Sequence, residues 1–402
     1  MPKMNTVPDK AQPAISLKLL LPLLASILAI SPLAIDMYLP AMPLIANDLQ
    51  TQMPLVQNSL SIYLLGYAIG LLFFGPMADK HSRRLLVFIG IGGFILVSIA
   101  LPFSQNIEQF LSLRFVQAFI SSAATVIVPG TIREFYGKNM AKGFSYVSMI
   151  MMVAPMIAPS IGAFILLLHS WSLIFYLLAA YSFVVLIFAI KYLPEAKNIE
   201  QRQLFTFIAR YKIVLTNTKA RLDLITSMMI SLAFFTYITA IPFVYLTVFK
   251  TSEFMFSLLF AINVLALMIA HFTNTKFVIG KGSRTMLRYG LILSVVASTG
   301  LVAANYFALP LIFTLLTVIP LMGSISMIAV NADSLVLIEF AEQSGTATAV
   351  IGTLRFGIGA LAGPILAIFY DGTALPFAML MWCAVLVVLL CQLKIKLNQT
   401  LR

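Results

Sequence analysis

Residues 16–45 read SLKLLLPLLASILAISPLAIDMYLPAMPLI, an apolar run that holds one carboxylate, Asp36, well inside it. A bilayer core about 30 Å thick takes about 20 helical residues, so this run is long enough to cross. A charged carboxylate at a bilayer centre costs about 2.5–3.5 kcal/mol on insertion scales. Chains rarely carry that cost without a use. Three uses suit Asp36: binding a cation, pairing with an intramembrane arginine, or taking up and releasing protons.

The rest of the chain repeats the same apolar pattern. Its 402 residues are 61% hydrophobic and 10% charged, against about 45–50% and about 25% in soluble proteins. It therefore reads as an all-α polytopic membrane protein. Cys383 and Cys391 both lie in the last apolar segment, and the three histidines form no ligand spacing. Neither a disulfide framework nor a metal site is expected. The net charge of +12 is explained by placement. All Lys and Arg except Lys250, Arg114 and Arg355 fall in the N-terminal tail, the even-to-odd loops or the C-terminal tail. That one-sidedness is the positive-inside pattern; it predicts cytoplasmic termini and argues against nucleic acid as a partner.

Windows of about 20 apolar residues give twelve spans: 15–40, 54–78, 85–104, 109–132, 143–168, 171–192, 223–248, 254–277, 285–305, 308–332, 344–369 and 375–395. The start, MPKMNTVPDKAQP, is polar and leads straight into the first span, so no cleavable signal peptide is expected. The longest hydrophilic stretch divides the spans six and six. The expected organisation is an N-terminal half over 1–190, a cytoplasmic linker over 191–222 and a C-terminal half over 223–402. Within the linker, QLFTFIARYKIVL is suited to an amphipathic helix on the membrane face. Such halves form transporters built from parallel repeats. HSRRLL (81–86) between spans 2 and 3 is echoed by GSRTML (282–287) between spans 8 and 9.

Four motifs carry chemistry. In GPMADKHSRRLL (75–86), Gly75 lets a helix end approach a neighbour, and Asp79 is suited to accept from free N–H groups at a facing helix N-terminus. Arg83 and Arg84 are expected at headgroup level, paired with acids or lipid. In LSLRFVQAFISSAATV (111–126), Arg114 lies about 9 Å inside span 4. A buried guanidinium needs a carboxylate or several carbonyls, so Arg114 either pairs with Asp36 or holds helices together. Span 5 contains APMIAPSIGAF (154–164), where Pro155 and Pro159 bend the helix and small residues around Gly162 allow tight packing. Span 11 contains GTATAVIGTLRFGIGALAGP (345–364), with Arg355 near the midplane.

These motifs resemble the major facilitator superfamily. The loop after span 2 is similar to its G-x-x-x-D-[RK]-x-G-R-[RK] signature, with Ser82 in the second Gly place. Arg114 and Gln117 match its R-x-x-Q-G element, with Ala118 at the Gly, and span 5 matches its antiporter motif with Ala before each Pro. LAIDMYLPAMP (33–43), together with span 11, resembles the drug-resistance transporters of the Bcr/CflA group over essentially the whole chain. The resemblance implies a twelve-helix major facilitator fold with two pseudo-symmetric halves, and not an enzyme. It further implies a proton-coupled antiporter of the bacterial inner membrane that exports small amphiphilic drugs, such as chloramphenicol-like compounds, by alternating access. The proton gradient would be the energy source, with no cofactor, and the chain would act as a monomer in the lipid bilayer.

On that reading Asp36 and Arg114 couple proton to cargo. Tyr38, Asn58, Tyr63, Tyr67, Gln117, Tyr237, Asn263 and Arg355 are the candidate cavity residues, although Tyr and Asn in membrane helices also serve as interhelical glue. Gly75, Asp79, Arg83, Arg84 and Arg133 form a conformational latch, and Pro155, Pro159 and Gly162 a hinge. Arg355 departs from the group, where an uncharged polar residue is expected. It has three readings: contact with an anionic or strongly polar substrate, a pair with Asp333, or a positive field acting on Asp36. An exporter of an endogenous metabolite such as an amino acid or siderophore, using the same machinery, is the alternative function.

Overall fold

The computed structural model describes residues 17–79, 81–136, 140–168, 170–194, 212–340 and 344–400, and regular structure among them is helical throughout. In chain order the helices are α1 (Leu17–Asp36), α2 (Met42–Asp48), α3 (Met53–Phe74), α4 (Arg83–Ala100), α5 (Ile107–Thr125), α6 (Ile127–Tyr136), α7 (Met140–Leu168) and α8 (Ser172–Tyr192). The second half supplies α9 (Arg221–Pro242), α10 (Glu253–Lys281), α11 (Ser283–Tyr306), α12 (Leu311–Glu339), α13 (Ser344–Gly359), α14 (Ala362–Ile368) and α15 (Leu375–Thr400). Helix is what lipid demands, because every backbone donor and acceptor must be satisfied within the span.

Eleven helical segments are long and apolar enough to cross a membrane, and Val153–Leu167 is a shorter apolar stretch inside α7. These are the twelve expected spans. The expected amphipathic helix falls mostly outside the described residues, and only 212–215 of it is seen, as helix.

The structure differs from the sequence expectation where spans break. Span 1 does not run unbroken to residue 40: α1 ends at Asp36, and a 3-10 turn over Leu39–Ala41 leads into α2. Pro40 and Pro43 each remove a donor and disfavour helix in the residue before them. The broken segment stays inside nonetheless, with Leu39, Pro40, Ala41 and Met42 all buried. Span 7 continues past Pro242 as a π-helical turn, Phe243–Val248. Span 11 is interrupted between α13 and α14.

Small residues set the helix spacing. A Cβ on Gly66 would run into the Phe115 carbonyl, and one on Gly90 into the Ala124 backbone, so α3 and α4 both lie hard against α5. Ser82, Asn106 and Ser252 cap α4, α5 and α10 by accepting from Leu85, Gln109 and Met255 N–H groups. Large apolar side chains such as Phe88, Leu96, Phe183, Phe272, Ile292 and Leu316 face outward, as a lipid-bathed surface requires.

The two halves meet along α3 against α13 and α14, and along α7 against α10. Across that seam Gln57 Nε2 donates to the Thr239 carbonyl (3.1 Å), the Gly363 N–H to Ser61 Oγ (2.8 Å), and Ser257 Oγ to the Pro159 carbonyl (3.0 Å). These links lie toward the end of the bundle that holds the α1–α2 break. At the opposite end Arg83 pairs with Glu134, and Arg284 with Asp223, each within one half. The bundle is thus pinned shut at the end carrying the break.

The glycine contacts predict a contrast. Gly66→Val overpacks the α3–α5 contact and should lower stability by about 1–3 kcal/mol, read as a lower unfolding midpoint in detergent. Gly92, which has open space where a Cβ would stand, should tolerate Val within about 0.5 kcal/mol. Equal midpoints for the two variants would contradict this packing.

Candidate functional site

Asp36 closes α1 at the point where the prolines interrupt the helix. Its side chain is 3% exposed, and Oδ1 has no hydrogen-bond partner among the described residues. Across the seam, on α9 of the other half, the Tyr237 phenol lies within electrostatic reach of the Asp36 carboxylate and of Tyr245. Tyr237 Oη, Tyr245 Oη and Asn263 Oδ1 are likewise buried and form no hydrogen bond of full geometry among the described residues, although both phenols approach the Asn263 side chain. An unpaired buried polar atom costs about 1–3 kcal/mol. On α9, the π turn and α10 the two phenols and the amide lie beside one another, whereas Asp36 Oδ1 on α1 has no such neighbour.

Arg114 does not pair with Asp36. Its guanidinium is fully buried, and Nη1 donates to Gln117 Oε1 (2.7 Å) while Nη2 donates to the Ala34 carbonyl (3.2 Å). Its central carbon stands 4.4 Å from the ring centroids of both Tyr38 and Tyr63. Two aromatic faces and two oxygens replace the carboxylate, and desolvated cation–π contacts contribute about 2 kcal/mol or more. Gln117 in turn donates to Ser98 Oγ (2.8 Å), which ties α5 to α4. The guanidinium is a fixed positive charge two residues along the backbone from Asp36.

The tyrosine hydroxyls are also engaged within the first half. Tyr38 and Ser59 share a bond of 3.0 Å, Tyr63 and Ser31 one of 3.1 Å, and Tyr67 donates to Thr125 (3.0 Å). Tyr38, Tyr63, Tyr67, Gln117, Tyr237 and Asn263 are all buried. In this closed arrangement they line no open cavity: the first four are interhelical glue and the last two belong to the seam. Asn58 is half-buried, and its Oδ1 stands beside Gly363, where the α13–α14 break meets α3.

Arg355 is the exception, with its side chain 35% exposed. Nη1 pairs with Asp333 Oδ2 on α12 at 2.9 Å, and Nε donates to Ser231 Oγ on α9 at 2.9 Å. Ser227 Oγ, one turn before Ser231, donates to the other Asp333 oxygen at 2.5 Å. Of the three sequence readings, the pair with Asp333 is present. The two serines were not foreseen, although their spacing of four on span 7 puts both on one helix face.

At the latch end, Gly75 ends α3, with its N–H bonded to the Leu71 carbonyl. Arg83 Nη2 meets Glu134 Oε2 at 2.6 Å, and Arg84 Nε donates to the Leu193 carbonyl at 3.0 Å. The side chains of Asp79 and Arg133 lie outside the described residues. Glu134 was missed by the sequence reading, and so was the bidentate pair of Arg284 with Asp223 (2.5 and 2.8 Å). The echo of HSRRLL by GSRTML held that signal, because it places Arg284 where the first half has Arg83. At the hinge, Pro155 and Pro159 lie inside a continuous α7, and a Cβ on Gly162 would collide with the Met37 carbonyl. The hinge helix therefore rests on the residue after Asp36.

The family model described as Major Facilitator Superfamily matches residues 24–364. The chain belongs to that superfamily. A bicyclomycin resistance protein homolog of Haemophilus influenzae is 29% identical, covering 89% of this chain and 90% of its own length. A chloramphenicol resistance protein of Pseudomonas aeruginosa is 28% identical over 88% of this chain and 86% of its own. These relatives place this facilitator in the group that its motifs resemble. Among solved structures, a D-xylose–proton symporter aligns with a TM-score of 0.71 at 14% identity, covering 92% of this chain and 96% of its own. The nucleoside transporter NupG gives 0.72 at 13%, covering 93% and 98%. At that identity the likeness establishes the fold. A facilitator of this kind is a multi-pass membrane transporter, not an enzyme.

Two substitutions probe how the facilitator's geometry is held. Gly162→Val should push α7 off the α1–α2 break and cut transport while surface expression persists; a normal transport rate would remove that contact from the mechanism. Glu134→Gln removes the carboxylate that Arg83 Nη2 meets at 2.6 Å, so turnover in proteoliposomes should fall several-fold with substrate affinity unchanged. Equal loss of affinity would move Glu134 from the latch to the substrate path.

Proposed function

We propose that this facilitator is a proton-coupled antiporter of the bacterial inner membrane, with both termini cytoplasmic, that exports small amphiphilic drugs by alternating access. Asp36 is the proton carrier. The observation that carries this reading is its carboxyl, buried beside the helix break, whose Oδ1 has no hydrogen-bond partner among the described residues. Resistance names among relatives, including a multidrug resistance protein MdtL of Shigella flexneri that is 30% identical over 41% of this chain, support small drugs as cargo.

The mechanism follows from what each state must desolvate. With the seam closed around it, a charged Asp36 has no bulk water and no fixed counter-ion in contact. A proton removes that charge and lets the closed arrangement form. When the seam opens outward, water reaches the carboxyl and protons exchange with the outside. When the seam opens inward, cargo entering from the cytoplasmic side favours the ionised carboxyl, the proton leaves to the cytoplasm, and proton and cargo alternate rather than travel together. Two occupants that prefer different states of one equilibrium are coupled by that preference alone. Arg114 fixes the local field, and α7, resting on Met37, transmits the movement of the break to the seam with α10. On the expected topology the pinned end is the outer one.

The second reading, export of an endogenous metabolite, is favoured by the partly exposed Arg355. Efflux of a labelled amino acid compared with labelled chloramphenicol from whole cells separates the two.

Asp36→Asn mimics the permanently protonated form. It should abolish drug efflux driven by an imposed pH gradient in proteoliposomes, while the purified variant melts as the wild type does. Gradient-driven efflux at the normal rate in that variant would remove Asp36 from coupling.

A further inference from the structure

The Arg355 guanidinium is held through two of its three nitrogens. Nε is anchored to Ser231 and Nη1 to Asp333, and Asp333 is itself fixed by Ser227. Three helices therefore clamp the group: α9 through both serines, α12 through Asp333, and α13 through its own backbone. A guanidinium carries five N–H donors in a planar fork. Nη2 and the second hydrogen of Nη1 make no hydrogen bond among the described residues, and the side chain is 35% exposed. What remains is Nη2, a charged donor with two N–H groups on the open side, suited to a charge-assisted hydrogen bond with a carboxylate.

A structural pair alone needs neither the orientation nor the exposure. An ion pair whose only task is to join α12 to α13 gains from being covered, and Ser231 would be unnecessary to it. Here the Ser231 bond holds the guanidinium so that Nη2 is left without a bond among the described residues.

Charge balance narrows the cargo further. The groups deep in the spans are Asp36, Arg114, Asp333 and Arg355. Asp333 and Arg355 cancel. With Asp36 protonated, Arg114 leaves one uncompensated positive charge; with Asp36 ionised the sum is zero. A purely anionic cargo would thus bind best alongside the proton, which is the reverse of exchange. A cargo that brings both a carboxylate and a cation adds no net charge, and its cationic end competes with the proton for the ionised Asp36.

We propose that Arg355, clamped by Asp333 and Ser231, is the carboxylate-binding point of the substrate site, and that the preferred cargo is a zwitterionic amphiphile carrying a carboxylate and an ammonium. This rests on the antiport reading for the ammonium, whereas the carboxylate contact stands on the geometry of Arg355 alone.

The test is equilibrium binding to purified protein in detergent at fixed pH, with three molecules on one skeleton: 4-(piperazin-1-yl)benzoate, its carboxamide, which lacks the anion, and its N-acetyl derivative, which lacks the cation. Wild type should bind the zwitterion about tenfold tighter than the carboxamide, or about 1.4 kcal/mol, and tighter than the N-acetyl derivative. Arg355→Gln should erase the preference over the carboxamide. Because that variant strands Asp333, the double variant Asp333→Asn with Arg355→Gln, which leaves no lone charge, must show the same loss while melting like wild type. The idea is overturned if wild type fails to prefer the zwitterion, if it binds none of the three, or if the preference survives in the double variant. Binding here needs no gradient, so a coupling failure at Asp36 leaves the carboxylate result standing. A failed preference, conversely, leaves gradient-driven export of neutral drugs untouched.

Discussion

Charge inside a bilayer-spanning bundle must be matched, and this protein matches its four deep charges in three different ways. Arg355 and Asp333 meet as an ordinary ion pair reinforced by serines. Arg114 is surrounded by two tyrosine faces, an amide oxygen and a carbonyl, with no carboxylate in contact. Asp36 has nothing fixed to pair with. The differences set the division of labour. A guanidinium cannot lose its proton, so Arg114 must be solvated permanently by its surroundings, and the first half is built tightly around it. A carboxyl can neutralise itself, and Asp36, unlike Asp333, has no ion-pair partner among the described residues to hold it ionised.

The architecture was legible in the sequence because lipid leaves the backbone little choice. Twelve apolar windows became twelve spans, and the superfamily motifs fell where the loops and helix ends require them. The breaks were less legible. Pro40 and Pro43 marked the end of a span in the sequence, yet the chain continues inward as a buried turn and a second short helix. Proline reports that a helix stops; it does not report whether the next residues leave the membrane. The π turn after Pro242 was invisible for the same reason: its residues, FVYLTV, are as apolar as the helix they extend.

The site was read in part. Asp36, Arg114 and Arg355 stood out because charge in an apolar span is rare, and all three hold distinctive positions. Their partners were harder to see. Ser231, Ser227 and Ser98 are small polar residues of a kind scattered through every span, and only contact distinguishes them. The tyrosines illustrate the converse. Tyr38 and Tyr63 resembled cavity walls by composition, but their rings are spent on Arg114 and their hydroxyls on Ser59 and Ser31. Sequence supplies the side chains that need a partner, while packing decides which partner each one takes.

The position of the hinge gives these observations a common mechanical sense. Gly162 lets α7 lie on the carbonyl of Met37, and three residues earlier Pro159 offers its own carbonyl to Ser257 of the opposite half. One helix thus touches the residue beside Asp36 and the seam within a single turn. Displacement of the α1–α2 break cannot be absorbed by a glycine contact that has no slack, because close-packed helices shift as units and do not deform. On the proposed mechanism a change of charge at Asp36 alters the fit of the break, and α7 joins that break to α10. Coupling of that kind needs no long relay, because Asp36, the helix break and the interface between the halves are neighbours.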